Sequence, residues 1–295
     1  MGNMEHKLMF CRFWKYHGLG NDFVIVDVRD NEELGRLLSD AGEVRSICHR
    51  NFGVGADGIL LVEHSQTADI RMIVYNSDGS KAEMCGNGLR CFARYVYDQQ
   101  LIERKEFVVQ TDRGNLSCEL SLNRDHTVES IRTTMGPALI ERAAIPVAGE
   151  GMHCIEEKLE IEGEVLQITA VSTGNPHVVL FDVPQAKLAK LGPLLTSHQL
   201  FPLGANVEFV DVMGKNALEV RVYERGCGWT QACGTGACAS VVAAMLTGRV
   251  AMGSAVVVSL PGGILHVEVD PNLNEVWLNG PATPVFQGEF ALPLR

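Results

Sequence analysis

Met84-Cys85-Gly86-Asn87-Gly88-Leu89-Arg90 and Ala232-Cys233-Gly234-Thr235-Gly236-Ala237 carry one pattern twice: a cysteine, a Gly-x-Gly, then a helical run. After the first copy, Leu89, Phe92, Ala93 and Val96 fall at i, i+3, i+4, i+7, which predicts an amphipathic helix over 88–98. After the second, 236–247 is rich in Ala, Val and Met almost all round, which predicts a buried helix. Each cysteine therefore stands at a helix N-terminus. There the unpaired backbone N–H groups and the helix dipole favour negative charge. Such a position lowers a thiol pKa from about 8.5 toward neutrality and can hold a carboxylate.

The two cysteines are 148 residues apart (233 − 85). Gly136-Pro137-Ala138 returns as Gly280-Pro281-Ala282 after 144 residues (280 − 136). Two motif pairs in one order at nearly one offset predict a duplicated unit of about half the chain. The expected domains are 1–131 plus 280–295, and 132–279. Short β-rich runs bounded by Gly, Pro, Asn or Asp occur throughout: Phe23–Asp27, Ile59–Val62, Ile70–Tyr75, Phe107–Thr111, His177–Phe181, Val207–Val210, Leu218–Tyr223, Ala255–Leu260 and Leu265–Val269. The expected class is α+β, strand-rich with few helices.

Composition narrows the function. At 295 residues, one large or two ordinary domains are expected. The net charge of −11 argues against non-specific binding to nucleic acid or an anionic membrane. No apolar run reaches the length of a membrane helix, and Met1–Gly18 lacks the apolar core of a secretory signal. The expected location is the cytoplasm. Nine cysteines with no C-x-x-C pair argue against a disulfide scaffold, structural zinc and a thioredoxin-like site. No metal site is expected.

Two thiols in two copies of an anion-binding turn suggest a two-base reaction. One thiolate removes a proton from a carbon acid, and the other thiol protonates the opposite face. Spacing alone leaves a second reading open: two buried cysteines at glycine-rich helix starts.

Six ordered stretches then give the chain a family likeness. They are Lys15 to Val24, Gly53-Val54-Gly55-Ala56-Asp57-Gly58, Asn76 to Arg94, Thr173-Gly174-Asn175-Pro176-His177, Gly204-Ala205-Asn206-Val207-Glu208-Phe209, and Val222 to Ala239. The chain resembles the diaminopimelate epimerases. These act without pyridoxal phosphate and interconvert LL- and meso-2,6-diaminopimelate, on the route to lysine and peptidoglycan precursors. The resemblance implies two pseudo-symmetric domains, each a mostly antiparallel, barrel-like sheet wrapped around a central helix, with the active site in the interdomain cleft. It implies no cofactor and a small-molecule substrate, diaminopimelate. A homodimer is kept as a candidate assembly.

By motif position the resemblance makes Cys85 and Cys233 the acid–base pair. Gly86, Asn87, Gly234 and Thr235 supply backbone donors to the substrate carboxylate. Asn21, Asn76, Asn175, Asn206, Glu224 and Arg225 match substrate-contacting positions, and His177 and Glu224 set thiol protonation. Arg225 suits a distal carboxylate and Glu224 an ammonium. His17, Trp14, Trp229, Trp277, Cys91, Cys238 and Cys227 are read as structural. The chain departs from the family at two places. Trp229 stands where many members carry Glu, and Gly58 where some carry a substrate-contacting Gln. A proline racemase-like isomerase is the nearest alternative, although such chains have His where Asn87 stands. A thiol redox or metal-binding protein is the alternative from another class.

Overall fold

A computed structural model describes residues 8–293. The N-terminal reading therefore lies partly outside the described residues. The chain forms two compact units. One holds the residues up to Ile131 together with those from Pro281 onward, and the other holds Arg132–Gly280.

The first unit runs β1 (Leu8–Gly18), β2 (Asn21–Asp27), α1 (Glu32–Leu37), α2 (Ala41–Cys48), β3 (Gly58–Glu63), β4 (Ile70–Asn76), β5 (Lys81–Ala82), α3 (Gly86–Asp98), β6 (Glu106–Thr111) and β7 (Gly114–Leu122). Strand β8 (Val128–Thr134) leads into the second unit. That unit continues with β9 (Glu157–Ile161), β10 (Glu164–Ser172), β11 (Pro176–Phe181), α4 (Gln185–Thr196), β12 (Asn206–Gly214), β13 (Ala217–Glu224), β14 (Gly228–Thr230), α5 (Gly234–Leu246), β15 (Val256–Leu260), β16 (Gly263–Val269) and β17 (Val276–Gly280). Strand β18 (Thr283–Pro293) belongs to the first unit.

The duplication is written in the strand pairings. In the first unit the order is β18-β1-β2-β3-β4-β6-β7, with β5 added to β4; β2–β3 and β4–β6 are parallel and the rest antiparallel. In the second the order is β9-β10-β11-β12-β13-β15-β16-β17, with β14 added to β13; β11–β12 and β13–β15 are the parallel pairs. Strands β1 to β7 thus correspond to β10 to β16 in order and sense. Each cysteine-headed helix follows the short added strand and precedes the partner in the second parallel pair. A parallel pair needs a crossover, and α3 and α5 are the crossovers.

Helix α3 is wrapped by its own unit. Leu89, Cys91, Phe92, Ala93 and Val96 have no exposed surface and pack with Tyr16, Phe23, Leu60, Val74 and Val109. Burying each large apolar side chain contributes about 1.5–3 kcal/mol. The opposite sheet face carries Val24, Val26, Ile59 and Leu61 against Leu34, Leu38, Val44 and Ile47 of α1 and α2. With both faces covered, the run Phe23-Val24-Ile25-Val26 is buried throughout instead of alternating with polar residues. Helix α5 is buried from Gly236 to Met245, touching β10 to β13, β16 and β17. It has no polar face because no face meets water.

Three helices, α1, α2 and α4, add to the two expected from periodicity. The first two are only six and eight residues long, too short for a helical period to stand out. In α4, Pro193 interrupts the pattern. The predicted helices both begin two residues earlier than the apolar spacing indicates. Gly86-Asn87 and Gly234-Thr235 form their first turns.

Candidate active site

In the first unit Cys85 is the N-cap of α3, with extended backbone at φ −138° and ψ 120°. Its Sγ accepts the Gly88 N–H at 3.4 Å, and its carbonyl accepts the Leu89 N–H at 2.7 Å. Gly88 has little room for a side chain. A Cβ there would stand 3.2 Å from Leu60 Cδ2 and 3.3 Å from Cys85 Cβ. The half-buried sulfur faces Asn21 Oδ1 at 3.9 Å. The same oxygen accepts from Asn87 Nδ2 at 3.2 Å. The Gly86 and Asn87 N–H groups lie in the first helical turn, where no i−4 carbonyl exists within the helix. Asn76 is exposed at the end of β4, and its amide donates to Ser80 Oγ at 3.0 Å.

The second unit repeats the cap. Cys233 begins α5 at φ −122° and ψ 113°, and its Sγ accepts the Gly236 N–H at 3.4 Å. The surroundings differ. Cys233 is buried, and burial together with the Glu224 and Glu208 carboxylates pushes its thiol well above the usual range. Its hydrogen bonds to Thr235 and Gly236 pull the other way and lose. A helix start alone predicts a depressed thiol pKa, so the structure reverses that expectation for Cys233.

Glu224, at the end of β13, is raised above the ordinary carboxylate range by burial. Its Oε1 accepts from Thr230 Oγ1 at 2.6 Å, and it also hydrogen-bonds with Cys233. His177 and Asn206 are register partners on the parallel strands β11 and β12. The His177 ring is fully buried, with Nδ1 2.7 Å from Glu208 Oε1 and Nε2 2.8 Å from Asn175 Oδ1. Asn206 Oδ1 accepts the Arg225 N–H at 2.9 Å. The exposed Arg225 side chain donates to the carbonyls of Leu203 and Gly204. Thr173 Oγ1 ties the loop before β11 to the first turn of α5 through the Thr235 carbonyl, at 3.0 Å.

The structure thus links Cys85, Asn87 and Asn21 in the first unit by hydrogen bonds. In the second, direct contacts join Cys233 to Thr235 and Glu224, Asn175 to His177, and Asn206 to Arg225. The reading of residues missed Glu208, Thr230 and Arg90. Glu208 had a signal, because a charge in the middle of the apolar strand Asn206-Val207-Glu208-Phe209-Val210 needs a partner. Arg90 is fully buried and donates to Asn87 Oδ1 at 2.7 Å. Its place in the apolar face of α3 was not marked by its residue type.

The structural readings divide. Cys91 and Cys238 are fully buried in their helices. His17 Nδ1 accepts the Gly20 N–H at 3.3 Å, which supports the β1–β2 turn. Trp14 packs on Tyr95, and Trp277 lies under Arg132. Cys227 is exposed rather than packed, because it lies in the turn between β13 and β14. Trp229, in place of the frequent Glu, is 45% exposed and rests edge-on against Tyr223. Gly58 admits no Gln in this backbone, since a Cβ would lie 2.5 Å from the Tyr75 carbonyl oxygen. Among the described residues no group of three or more His, Cys, Asp or Glu has metal-binding geometry. No described helix is long and apolar enough to cross a membrane.

Solved structures define the class. A hydroxyproline epimerase from Agrobacterium vitis, solved with bound trans-4-hydroxy-L-proline, matches with a TM-score of 0.70 and 17% identity over 96% of this chain and 92% of its own. A phenazine biosynthesis protein from Bacillus anthracis matches with a TM-score of 0.69 and 17% identity over 96% and 99%. The fold is therefore the duplicated α+β architecture these proteins share, and identity this low speaks for the fold alone. The family model described as diaminopimelate epimerase matches residues 13–140 and 169–285. A relative named diaminopimelate epimerase, from Moorella thermoacetica, is 47% identical over 282 residues, covering 95% of this chain and 99% of the relative. This chain belongs to the diaminopimelate epimerase family, whose members are isomerases.

Proposed function

We propose that this protein interconverts LL-2,6-diaminopimelate and meso-2,6-diaminopimelate by proton transfer at one α-carbon, with Cys85 and Cys233 as the two bases. The observation that carries the reading is the matched pair of caps. Each sulfur accepts its helix's third N–H at 3.4 Å, in a chain of the diaminopimelate epimerase family. One cysteine, as thiolate, takes the α-proton from one face. The other, as thiol, delivers its proton to the opposite face. One C–H and one S–H bond break, and one of each forms, so the centre inverts and a proton has passed from one sulfur to the other.

The planar carbanion between these events spreads its charge into the adjoining carboxylate. The N–H groups of Gly86, Asn87, Gly234 and Thr235 are the donors for that charge. Preorganised donors of this kind are often the largest catalytic contribution. Glu224 receives the Cys233 proton. Burial raises the proton affinity of Glu224, so it takes up a proton more readily than an exposed carboxylate, and its hydrogen bond with Cys233 gives the path. The neighbouring His177 favours the charged form of Glu224, and the Glu208 carboxylate opposes it. Asn21, Asn76, Asn175, Asn206 and Arg225 bind the remaining polar ends of the substrate, with Arg225 on the distal carboxylate. A substrate lacking the distal amino-acid centre would leave these groups unpaired and bind poorly. The product feeds lysine and peptidoglycan precursor synthesis, and the reading includes a cytoplasmic enzyme. Light scattering after gel filtration decides between a monomer and a homodimer.

The test is proton NMR of LL-diaminopimelate in D₂O with fully reduced protein. Loss of the α-proton signal together with appearance of the meso isomer is expected. Exchange of proline or hydroxyproline instead, with diaminopimelate untouched, would transfer the reaction to the proline racemase-like alternative.

A further inference from the structure

The motif Gly53-Val54-Gly55-Ala56-Asp57-Gly58 holds an aspartate, Asp57, with no role in the chemistry above. Asp57 immediately precedes β3, beside Asp22 near the start of β2; its N–H donates to the Asp22 carbonyl at 2.9 Å. Its Oδ1 accepts from Arg50 Nη2 at 2.6 Å. Its Oδ2 accepts from Asn21 Nδ2 at 2.8 Å and from the Asp22 N–H at 3.0 Å. A carboxylate paired with a guanidinium is ionised and can only accept. The Asn21 amide must therefore turn its NH₂ to Asp57. The reverse orientation would set two acceptor oxygens against each other at 2.8 Å.

The opposite end gives the same answer independently. Arg90 Nη2 donates to Asn87 Oδ1 at 2.7 Å. A guanidinium has no acceptor, so Asn87 must turn its NH₂ toward Asn21. It does, reaching Asn21 Oδ1 at 3.2 Å. Donation runs one way, from Arg90 through Asn87 and Asn21 to Asp57. The end groups can reverse neither step.

We infer that Asp57, anchored by Arg50, is a positioning residue for Cys85. It aims the Asn21 carbonyl, 3.9 Å from Cys85 Sγ, as an acceptor for the thiol proton. The inference rests on the reading of Cys85 as a proton-transfer group. An acceptor at that place favours the thiol over the thiolate and opposes the Gly88 N–H, which favours the thiolate. Cys85 is thereby held loaded with its proton until substrate arrives. The charged groups facing this chain of donors are Asp22 on β2, Lys15 on β1 paired with it at 2.5 Å, Arg50 and Asp57 in the segment before β3, and Arg90 on α3.

The experiment is the pH profile of iodoacetamide alkylation, read by mass spectrometry on the Cys85 and Cys233 peptides of the same sample. Wild type, Asp57→Asn, Asp57→Ala, Arg50→Gln and Asn21→Ala are compared. In Asp57→Ala and Asn21→Ala the Cys85 midpoint should fall by about half to one pH unit, the size of one lost hydrogen bond. Arg50→Gln should give a smaller fall, and Cys233 should not move. In Asp57→Asn, kcat should fall more than KM rises. Asn21→Ala removes the acceptor without changing charge. A shift in Asp57→Ala with none in Asn21→Ala would reduce Asp57 to a through-space charge and overturn the inference. A common shift at both cysteines would mean general loosening and also overturn it. Should the Asp57 variants fail to fold, Arg50→Gln, altered at an exposed side chain, still gives the reading. Absence of epimerase activity in wild type would defeat the proposed reaction while leaving the alkylation result standing.

Discussion

Cys85 and Cys233 hold the same cap position in different company. Cys85 is half-buried beside two amides, whereas Cys233 is buried beside two carboxylates. At neutral pH, iodoacetamide should therefore label Cys85 well before Cys233, as peptide mass spectrometry would record. In the two-base scheme each thiol is needed in either direction. Cys85→Ser and Cys233→Ser should each lower kcat by about two to four orders of magnitude, with unchanged thermal midpoints. Activity within tenfold of wild type in either variant would defeat the scheme. Glu224 gives the pH dependence. Burial raises its pKa above the ordinary 4.5, and the Thr230 hydrogen bond only partly offsets this. As pH falls, the charged form is lost earlier than for an exposed glutamate. The acid limb of kcat/KM should lie above pH 4.5 and disappear in Glu224→Gln, together with most of the rate.

The helix starts were legible because the cap is local. A cysteine and two glycines fix an N-terminus without help from the rest of the chain. Their surroundings were not legible. The proximity of Glu208 to His177 depends on the register of β11 with β12, which no sequence spacing encodes. The helix ends have a readable difference of their own. In α5 the residue after the C-cap, Gly248, is left-handed at φ +71°, and the Gly248 and Arg249 N–H groups reach back to Met245 and Ala244. In α3 the same turn is made at Gln100 with φ +55°, closed by Gln100 to Tyr97 and Leu101 to Val96. A side chain at that backbone conformation is strained, and glycine is not. Gln100→Gly should stabilise the protein by about 0.5–1 kcal/mol, and Gly248→Gln should destabilise it by a similar amount. Urea denaturation checks both. Equal and opposite changes are expected because the two turns close with the same pair of hydrogen bonds.

Six buried thiols set the alkaline limit of the molecule. Burial raises Cys11 and Cys48 to about 12 and Cys154 to about 11, and it raises Cys91, Cys118 and Cys233 as well. In the unfolded chain these groups titrate near 9.0. Above that pH the unfolded state loses protons that the folded state keeps, so stability falls as pH rises. Each thiol contributes a loss of about 1.4 kcal/mol one pH unit above its unfolded value. The urea midpoint should drop steeply between pH 9 and pH 10.5, and Cys118→Ala should flatten the drop. A midpoint unchanged over that range would contradict the burial of these side chains.

By itself the sequence determined the class of the fold and the family. Two cysteine-headed helix starts at one offset announce a duplication, and short bounded apolar runs announce strands. These signals are local or periodic, so they survive without knowledge of packing. Tertiary structure decided the electrostatics of each copy. Identical caps became unlike thiols because one strand of the second unit brings Glu224, and another brings Glu208, toward Cys233. In the first unit a carboxylate and a guanidinium instead fix the direction of two amides. The proton affinity of a buried group depends on which charges and hydrogen-bond partners surround it in space, and residues distant in the chain, such as Glu208 for Cys233 and Asn21 for Cys85, supply them here only through strand register and helix packing.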